Sequence, residues 1–364
     1  MSGPHVLPRR FPRGLVVGKF CPLHLGHEHL IQHAQQHCDE LVVLSYTEPG
    51  FPGLDRERRA AWLAARFPAL RCHVLDPEHL SRLCHDHGVA PRQIPADDAP
   101  GDVHRHFVAG LMLDLFGGPV QAVFTSETYG DGFAAVLSQV FGAPVRHVCV
   151  DLHRVQVPVS GTQVRRDPLA HRHLLSPEVF ADFMPRIALL GGESTGKTTL
   201  ARALAQSLNT AWVPEFGRTL WEQQAGRLSF EDMALIGSTQ IAHEVQQAQR
   251  AQGCLICDTT PLTTRLYSEW MFGQVDPVLS AAAERRYTLT VLCDTDIPFE
   301  QDGTRQAADS RLMQQARYRQ ELSDRNVPFV EVSGSLDQRL SMAVRAIQAA
   351  VKREDGAHPV KSAP

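Results

Sequence analysis

Short apolar runs alternate with longer amphipathic stretches along this chain of 364 residues. An apolar run at residues 14–17 is followed by a helical pattern over 28–37 and by a second apolar run at 41–44. Short apolar runs predict buried strands, and stretches with a period near 3.6 residues predict helices. Because strands that alternate with helices pair in parallel, the chain is predicted to open as a parallel α/β sheet.

The same alternation continues to the end of the chain and predicts two α/β domains, since a chain of this length supplies two cores. Later strands are expected at 71–75, 121–124, 145–150, 187–190, 211–214, 254–258, 289–293 and 329–332. The predicted divisions are a loose segment 1–13, a first domain 14–184, a second domain 185–353 and a disordered tail 354–364.

A glycine-rich loop opens the second domain between a predicted strand and a predicted helix. It matches the pattern G-x-x-x-x-G-K-[ST] and comprises Gly191, Gly192, Glu193, Ser194, Thr195, Gly196, Lys197, Thr198 and Thr199. Glycines let backbone N–H groups close around phosphate oxygens, and the helix N-terminus adds partial positive charge. Lysine at this position reaches the β/γ-phosphates, and the following hydroxyl can bind Mg²⁺. The loop therefore predicts an ATP site.

The first strand-to-helix turn carries a second nucleotide signature, Gly-Lys-Phe-Cys-Pro-Leu-His-Leu-Gly-His over residues 18–27. Ring N–H groups of His24 and His27 at a helix N-terminus can donate hydrogen bonds to a triphosphate. The whole pattern resembles the G-x-F-x-P-x-H-x-G-H signature of the nucleotidyltransferase superfamily, and Gly18 and Phe20 occupy fixed positions of it. Lys19 is predicted to add a cation.

Two further segments of the first domain are candidates for ligand contacts. Ser160 and Thr162, followed by Arg165, resemble the second motif of that superfamily, where hydroxyls and a cation hold the β/γ-phosphates. Ser126 and Glu127 follow a predicted strand, where open α/β sheets bind ligands. A simple capped turn explains Ser126 and Glu127 equally well.

Acidic and basic candidates complete the second site. Asp258 ends an apolar strand and is expected beside the glycine loop as a Mg²⁺ ligand with Thr198, while Glu215 follows another strand. Either acid is a candidate general base. Arg305 and Arg311 flank a polar segment typical of a lid that closes on transferring phosphate, although a solvated arginine-bearing loop is the alternative.

The positions of the few lysines support two phosphate sites, and the net charge bears on the possible partners. The chain has four lysines against thirty-two arginines, and two of the four, Lys19 and Lys197, lie in the two glycine-containing turns. A compact charge on a flexible stem suits phosphate binding. The net charge of −4 indicates no general polyanion-binding surface.

Other features predict a cytoplasmic protein. There is no signal-peptide pattern and no apolar run near the ~20 residues that a membrane span needs, and eight cysteines without paired spacing suggest reduced thiols. No membrane or nucleic-acid partner is expected, and only thirteen residues precede the first predicted strand, too few for a helix-turn-helix module. A homo-oligomer is left open.

With both halves considered, a nucleotidyltransferase followed by a P-loop kinase resembles the NadR-type bifunctional proteins, over about residues 14–352. The resemblance implies a Rossmann-like HxGH nucleotidyltransferase and a kinase half that phosphorylates ribosylnicotinamide with ATP and Mg²⁺. It implies that the first domain then joins nicotinamide mononucleotide to the α-phosphate of a second ATP, giving NAD and pyrophosphate. Tyr267 and Trp270 are the candidates for nicotinamide recognition.

Two other interpretations stay open at the level of sequence. One is a different nucleotidyltransferase joined to a different nucleoside kinase, because base-recognition residues cannot be identified by spacing. The other is a regulatory protein that senses NAD or ATP and has weak activity in its N-terminal half. The presence of both His24 and His27 favours an active enzyme.

Overall fold

The computed structural model describes residues 10–152, 155–297 and 308–356. It divides into two compact units, Met1–Val179 and Phe180–Pro364. Within the described residues each unit contains one five-stranded sheet, and every strand pair in both sheets is parallel. The predicted fold class, two parallel α/β domains, is confirmed.

The sheet of the first unit has the strand order β3-β2-β1-β4-β5. Its elements are β1 (Phe11–Gly18), α1 (Leu25–His37), β2 (Cys38–Ser45), α2 (Arg56–Arg66), β3 (Arg71–Val74), α3 (Pro77–Asp86), α4 (Gly101–Asp114), β4 (Ala122–Thr125), α5 (Gly130–Phe141), β5 (Arg146–Cys149), α6 (Gly161–Arg166), a 3₁₀ turn (Arg172–Leu174) and α7 (Pro177–Ala181). Because the chain runs outward from β1 in both directions, a crevice forms at the carboxyl ends of β1 and β4, where ligands bind in open α/β sheets.

The first strand begins at Phe11, three residues before the predicted start of the domain. The ring of Phe11 is buried and meets Phe124 of β4 edge to face, with 6.1 Å between centroids. The guanidinium of Arg13 donates hydrogen bonds to the backbone oxygens of Phe116 and Gly118. Aromatic packing and these bonds hold residues 11–13 in the sheet, although their Pro/Arg-rich sequence predicts a loose segment.

The sheet of the second unit has the order β10-β9-β6-β8-β7. Its elements are β6 (Arg186–Leu190), α8 (Lys197–Ser207), β7 (Trp212–Val213), α9 (Phe216–Gln223), α10 (Phe230–Ala248), β8 (Leu255–Asp258), α11 (Pro261–Phe272), α12 (Pro277–Ala283), β9 (Leu289–Cys293), α13 (Ala308–Asp324), β10 (Phe329–Val332) and α14 (Leu336–Gly356). Asp258 is in register with Leu189 of β6, so the end of β8 lies beside the glycine loop.

The ends of the predicted domains differ slightly from the structure. The two units divide between Val179 and Phe180, inside α7, whereas the sequence-based boundary at Pro185 stays a prediction. Helix α14 continues to Gly356, so the first residues of the tail predicted as disordered are helical. The rest of that tail lies outside the described residues.

Candidate functional site: two nucleotide cavities

The first unit has a cavity of about 400 Å³ over the carboxyl ends of β1 and β4. Every candidate that the sequence singles out in this half lines it: Gly18, Lys19, Phe20, His24, His27, Ser126, Glu127, Ser160, Thr162 and Arg165. These residues come from three separate segments of the chain, and the sheet brings them together. Their roles in binding stay predictions.

The two histidines of the first motif form a stacked pair at the start of α1. Their ring centroids lie 3.6 Å apart at an interplanar angle of 16°, and Phe20 meets His27 edge to face. His24 is 5% exposed, and its Nδ1 accepts a hydrogen bond from the backbone N–H of His27 at 3.3 Å. Because Nδ1 is an acceptor, the neutral ring of His24 carries its proton on Nε2. That nitrogen is therefore a donor.

The starts of α1 and α6 approach closely at this cavity. A Cβ on Gly26 would lie 2.9 Å from Cγ1 of Val159, and one on Gly161 would lie 3.9 Å from Nε2 of His24. Ser160 caps α6, since its hydroxyl accepts the N–H of Gln163 at 3.2 Å. Both glycines thus allow the His24 donor and the α6 start to face the same space.

The two predicted phosphate-binding cations are both held by neighbours. Nζ of Lys19 lies 2.8 Å from a carboxylate oxygen of Asp97. Arg165 donates to the backbone oxygen of Cys21 and, at 3.0 Å, to the hydroxyl of Thr162, and its guanidinium lies 4.3 Å from the ring centroid of Phe51. The sequence did not predict the contacts with Asp97 and Phe51, because both residues belong to loops far from the motifs.

A polar chain supports the turn that carries Ser126 and Glu127. The hydroxyl of Thr125 lies 2.9 Å from Nε2 of His147, and Nδ1 of His147 lies 2.8 Å from a carboxylate oxygen of Asp131. The same hydroxyl lies 3.1 Å from the backbone oxygen of Glu127. Thr125 lines the cavity. Side chains of β4, β5 and α5 thus hold the turn in place.

Two glycines of the loop in the second unit adopt backbone conformations that other residues rarely take. Gly191 and Gly196 have φ of 144° and 78°, and a Cβ on Gly191 would lie 2.6 Å from the backbone oxygen of Cys293. Nζ of Lys197 donates to the backbone oxygens of Gly191 and Gly192 at 3.0 and 2.9 Å. The lysine therefore lies across the loop in which phosphate oxygens would be held.

The predicted acid beside the loop is buried against it. Asp258 is 1% exposed, and its Oδ2 accepts the hydroxyl of Thr198 at 2.6 Å. Burial raises the pKa of Asp258, while the Thr198 hydrogen bond and the charge of Lys197 oppose the rise. Its other oxygen, Oδ1, is buried with no hydrogen-bond partner among the described residues. An unsatisfied carboxylate oxygen next to a hydroxyl is the donor set that a hard divalent cation takes.

Glu215 occupies a different position from Asp258. It lines a cavity of about 430 Å³ in front of the loop, together with residues 193–199. Burial raises the pKa of Glu215, with a further rise from Asp258 and an opposing effect of Lys197. Asp258 is absent from the wall of this cavity. The structure thus separates the two acids that the sequence could not distinguish.

Aromatic residues line the same cavity. Tyr267 donates its hydroxyl proton to Glu193 at 3.0 Å, and Trp221 and Tyr318 contribute further aromatic wall. Trp270, the other aromatic candidate, does not line this cavity in the described structure: it is 41% exposed and meets the ring of Tyr267 edge to face. The sequence missed Trp221 because it did not predict α9.

Helix α13 packs directly on the glycine loop. Side-chain oxygens of Gln315 and Gln314 accept the N–H groups of Gly192 and Glu193 at 3.1 and 3.0 Å. Arg311 is 6% exposed and donates to the backbone oxygens of Thr295 and Ile297, and its backbone would contact a Cβ on Gly192. Arg305 lies outside the described residues.

Two other kinds of site are absent from the described part of the chain. No helix there combines the length and apolarity that crossing a bilayer requires. Within the same residues, no cluster of three or more histidine, cysteine or acidic side chains could hold a metal ion. A divalent cation at Asp258 would therefore depend on non-protein ligands as well, as Mg²⁺ with nucleotide phosphates usually does.

Comparison with known proteins extends the observations to nearly the whole chain. The chain is 28% identical over 351 residues to the trifunctional NAD biosynthesis/regulator protein NadR of Salmonella typhimurium, and 28% identical over 350 residues to that of Escherichia coli. Each alignment covers 88% of this chain and 80% of the relative. The resemblance to NadR-type proteins is confirmed.

Solved structures give the same result for the fold. A NadR protein in complex with NR is 22% identical with a TM-score of 0.57 and covers 94% of this chain and 96% of its own. A NadR protein in complex with NAD and AMP-PNP is 21% identical with a TM-score of 0.59, covering 94% and 98%. The profile of a family described as AAA domain matches residues 186–339. Both units thus have the fold of these proteins.

Proposed function

We propose that this chain makes NAD in two steps, as a ribosylnicotinamide kinase in its second unit and a nicotinamide-mononucleotide adenylyltransferase in its first. The observation that carries the proposal is the presence of two separate nucleotide cavities, one built on the histidine pair and one on the glycine loop. Similarity to the NadR relatives over 88% of the chain supports this pairing of reactions.

In the kinase step, the γ-phosphoryl group of ATP moves to the 5′-hydroxyl of ribosylnicotinamide. The glycine loop holds the phosphates, and Lys197 leaves the loop carbonyls to bind phosphate oxygens. We assign the base to Glu215, because it lines the nucleoside cavity while Asp258 lies behind Thr198. A raised pKa makes the Glu215 carboxylate a stronger base for the hydroxyl proton.

Mg²⁺ fits the other acid. Thr198 and the unsatisfied oxygen of Asp258 would hold it, directly or through water. When bound, the ion neutralises charge on the transferring phosphoryl group. Arg305 and, from α13, Arg311 are proposed to add positive charge at the phosphates.

The nicotinamide end of the nucleoside is proposed to lie against the aromatic wall. Tyr267 and Trp221 face this cavity, and a cationic nicotinamide ring is attracted to aromatic faces. Trp270 is not retained for this role, because the cavity wall does not include it.

In the adenylyl step, the phosphate of the mononucleotide attacks the α-phosphate of ATP, and pyrophosphate leaves. The nucleophile is already anionic, so the protein needs no general base and acts by orientation and charge. His24 and His27 donate to the triphosphate, Lys19 and Arg165 supply cations, and Ser160 and Thr162 lie at the α6 start. Ser126 and Glu127 are proposed to contact the mononucleotide.

The direct test is to incubate the purified chain with ribosylnicotinamide, ATP and Mg²⁺ and to separate the products. NAD is the expected product, with mononucleotide as an intermediate. If mononucleotide is the only product, only the kinase activity is present. If ribosylnicotinamide is not phosphorylated while another nucleoside is, a different enzyme pair is favoured. Binding of NAD or ATP without turnover at either site would favour a sensor.

The remaining partners follow from the same proposal. Its substrates are small molecules, and we propose a cytoplasmic location, where ATP is abundant. A net charge of −4 gives no support for nucleic acid as a partner. A homo-oligomer is compatible with the proposal but not required by it.

A further inference from the structure

A buried arginine from the last helix joins the loops around the glycine loop. Arg339 of α14 is 3% exposed. Its Nη1 donates to the backbone oxygen of Thr195, inside the glycine loop, at 2.9 Å. Its Nε donates to the backbone oxygen of Gly334 at 2.9 Å, and its Nη2 donates to that of Asp294 at 3.2 Å. Arg339 is therefore hydrogen-bonded to three different loops.

The carboxylate of Asp296 completes this arrangement. It forms an ion pair with Arg339 and accepts the N–H of Gly334 at 2.5 Å. Arg339 and Asp296 therefore hold the two ends of the same residue, Gly334, in the turn between β10 and α14. Gly334 has φ of 88°, which favours glycine in this turn.

The contacts of Arg339 are of a kind that fixes geometry. A guanidinium presents five N–H donors in a rigid planar fork, which lysine cannot reproduce. Three of its partners are backbone oxygens, and only one is a carboxylate. Since a backbone oxygen cannot move without its loop, the guanidinium constrains the positions of all three loops relative to one another.

We propose that Arg339 is a positioning residue for the ATP site of the second unit, acting through Thr195 on the glycine loop. The loop must present its N–H groups to the phosphates before ATP arrives, and preorganised donors bind phosphate better than mobile ones. Arg339 binds the backbone oxygen of Thr195 and is not part of the cavity wall in front of the loop, whereas Lys197 and Thr198 are. It thus contributes to binding of ATP without contacting it. The inference rests on the proposed kinase function of this unit.

The test replaces Arg339 by methionine, which keeps the length of the side chain but removes every donor. We expect the KM for ATP in the kinase reaction to rise about tenfold or more, the ratio for losing one charge-assisted hydrogen bond between a loop N–H group and a phosphate oxygen once the loop is no longer held. The KM for ribosylnicotinamide and the adenylyl transfer of the first unit should not change. The KM for ATP of Arg339→Lys should lie between those of the wild type and Arg339→Met, because lysine restores one donor group.

A matched control separates positioning from general stability. Arg186 is also buried, at 7% exposure, and begins β6, the strand that ends at the glycine loop. It binds Glu244 and the backbone oxygens of Ala181 and Met184, away from the loop. Arg186→Met should lower the melting temperature and leave the KM for ATP unchanged. Equal changes in that KM for both variants would overturn the proposal.

Hydrogen exchange gives a readout that does not need the nucleoside substrate. Peptides covering residues 186–199 should exchange faster in Arg339→Met than in the wild type, and should need more AMP-PNP with Mg²⁺ for protection. If Arg339→Met fails to fold, Asp296→Asn should show the same changes to a smaller extent. Unchanged exchange and protection in a folded variant would overturn the proposal. Protection of these peptides in a wild type that does not phosphorylate ribosylnicotinamide would count against the proposed function alone.

Discussion

The two acids of the kinase site give different predictions at the scale of single residues. Glu215→Gln should lower kinase turnover by roughly 10²-fold or more, the scale of general-base catalysis, without loss of ATP binding. Asp258→Asn should lower turnover and also raise the Mg²⁺ concentration required. Steady-state kinetics at several Mg²⁺ concentrations distinguish the two. A Mg²⁺ requirement shifted by Glu215→Gln and unchanged by Asp258→Asn would reverse the assignment.

The raised pKa of Glu215 has a consequence for stability. Burial disfavours its ionised form, so at neutral pH the charge costs folding free energy that a glutamine does not cost. We expect Glu215→Gln to melt at a higher temperature than the wild type at pH 7. Below the ordinary pKa of a glutamate both side chains are neutral, and the difference should disappear. A lower melting temperature at pH 7 would show that attraction to Lys197 outweighs burial.

The histidine pair gives the matching prediction for the other site. His27→Ala should lower adenylyl transfer on the order of 10²–10³-fold, the loss typical of one preorganised donor. The kinase rate should not change, because Lys197 and Glu215 belong to the second unit. Both reactions should be assayed on one preparation of the variant. Normal synthesis of NAD from mononucleotide would mean that the His27 imidazole has no phosphate-binding role.

Only some of the residues in the two cavities could be predicted from the sequence. Residues inside local motifs, such as His24 and Lys197, were predictable because their spacing along one turn places them together. Asp97 beside Lys19 was not, since their contact joins two loops 78 positions apart in the chain. Nor was Trp221, which enters its cavity from a helix that the sequence did not predict. Loop contacts at long range depend on the fold, not on local pattern.

At the scale of elements, the close approach of α1 and α6 is itself testable. A Cβ on Gly26 would lie 2.9 Å from Val159 and 3.2 Å from the His24 ring. Gly26→Ala should therefore displace the histidine pair and lower adenylyl transfer several-fold. Gly50→Ala is the control, because nothing lies within 4 Å of a Cβ there. Equal rates in the two variants would mean that the α1 start tolerates the added group.

Regular elements were largely predictable, and the exceptions have physical reasons. All ten strands of the described structure overlap predicted strands, and β6, β8 and β9 are buried throughout, as expected for central strands of a parallel sheet that is covered on both faces. Helices α5, α9 and α12 were not predicted. The last two have only eight and seven residues, too short for a clear period. Yet α9 supplies Trp221, so a short element carries part of the nucleoside cavity.

At the scale of the whole molecule, we propose that one chain holds two independent phosphate sites that act in sequence. The order of the two units along the chain was predictable, because each carries a complete motif. Their separate cavities, each at the carboxyl edge of its own sheet, required the structure.

The most direct measurement uses Lys197→Ala with two alternative substrates. Given ribosylnicotinamide, ATP and Mg²⁺, the variant should form neither mononucleotide nor NAD, because the lysine of the glycine loop is lost. Given mononucleotide, ATP and Mg²⁺, it should form NAD at the rate of the wild type. Equal loss of both reactions in a folded variant would contradict the claim of two independent sites.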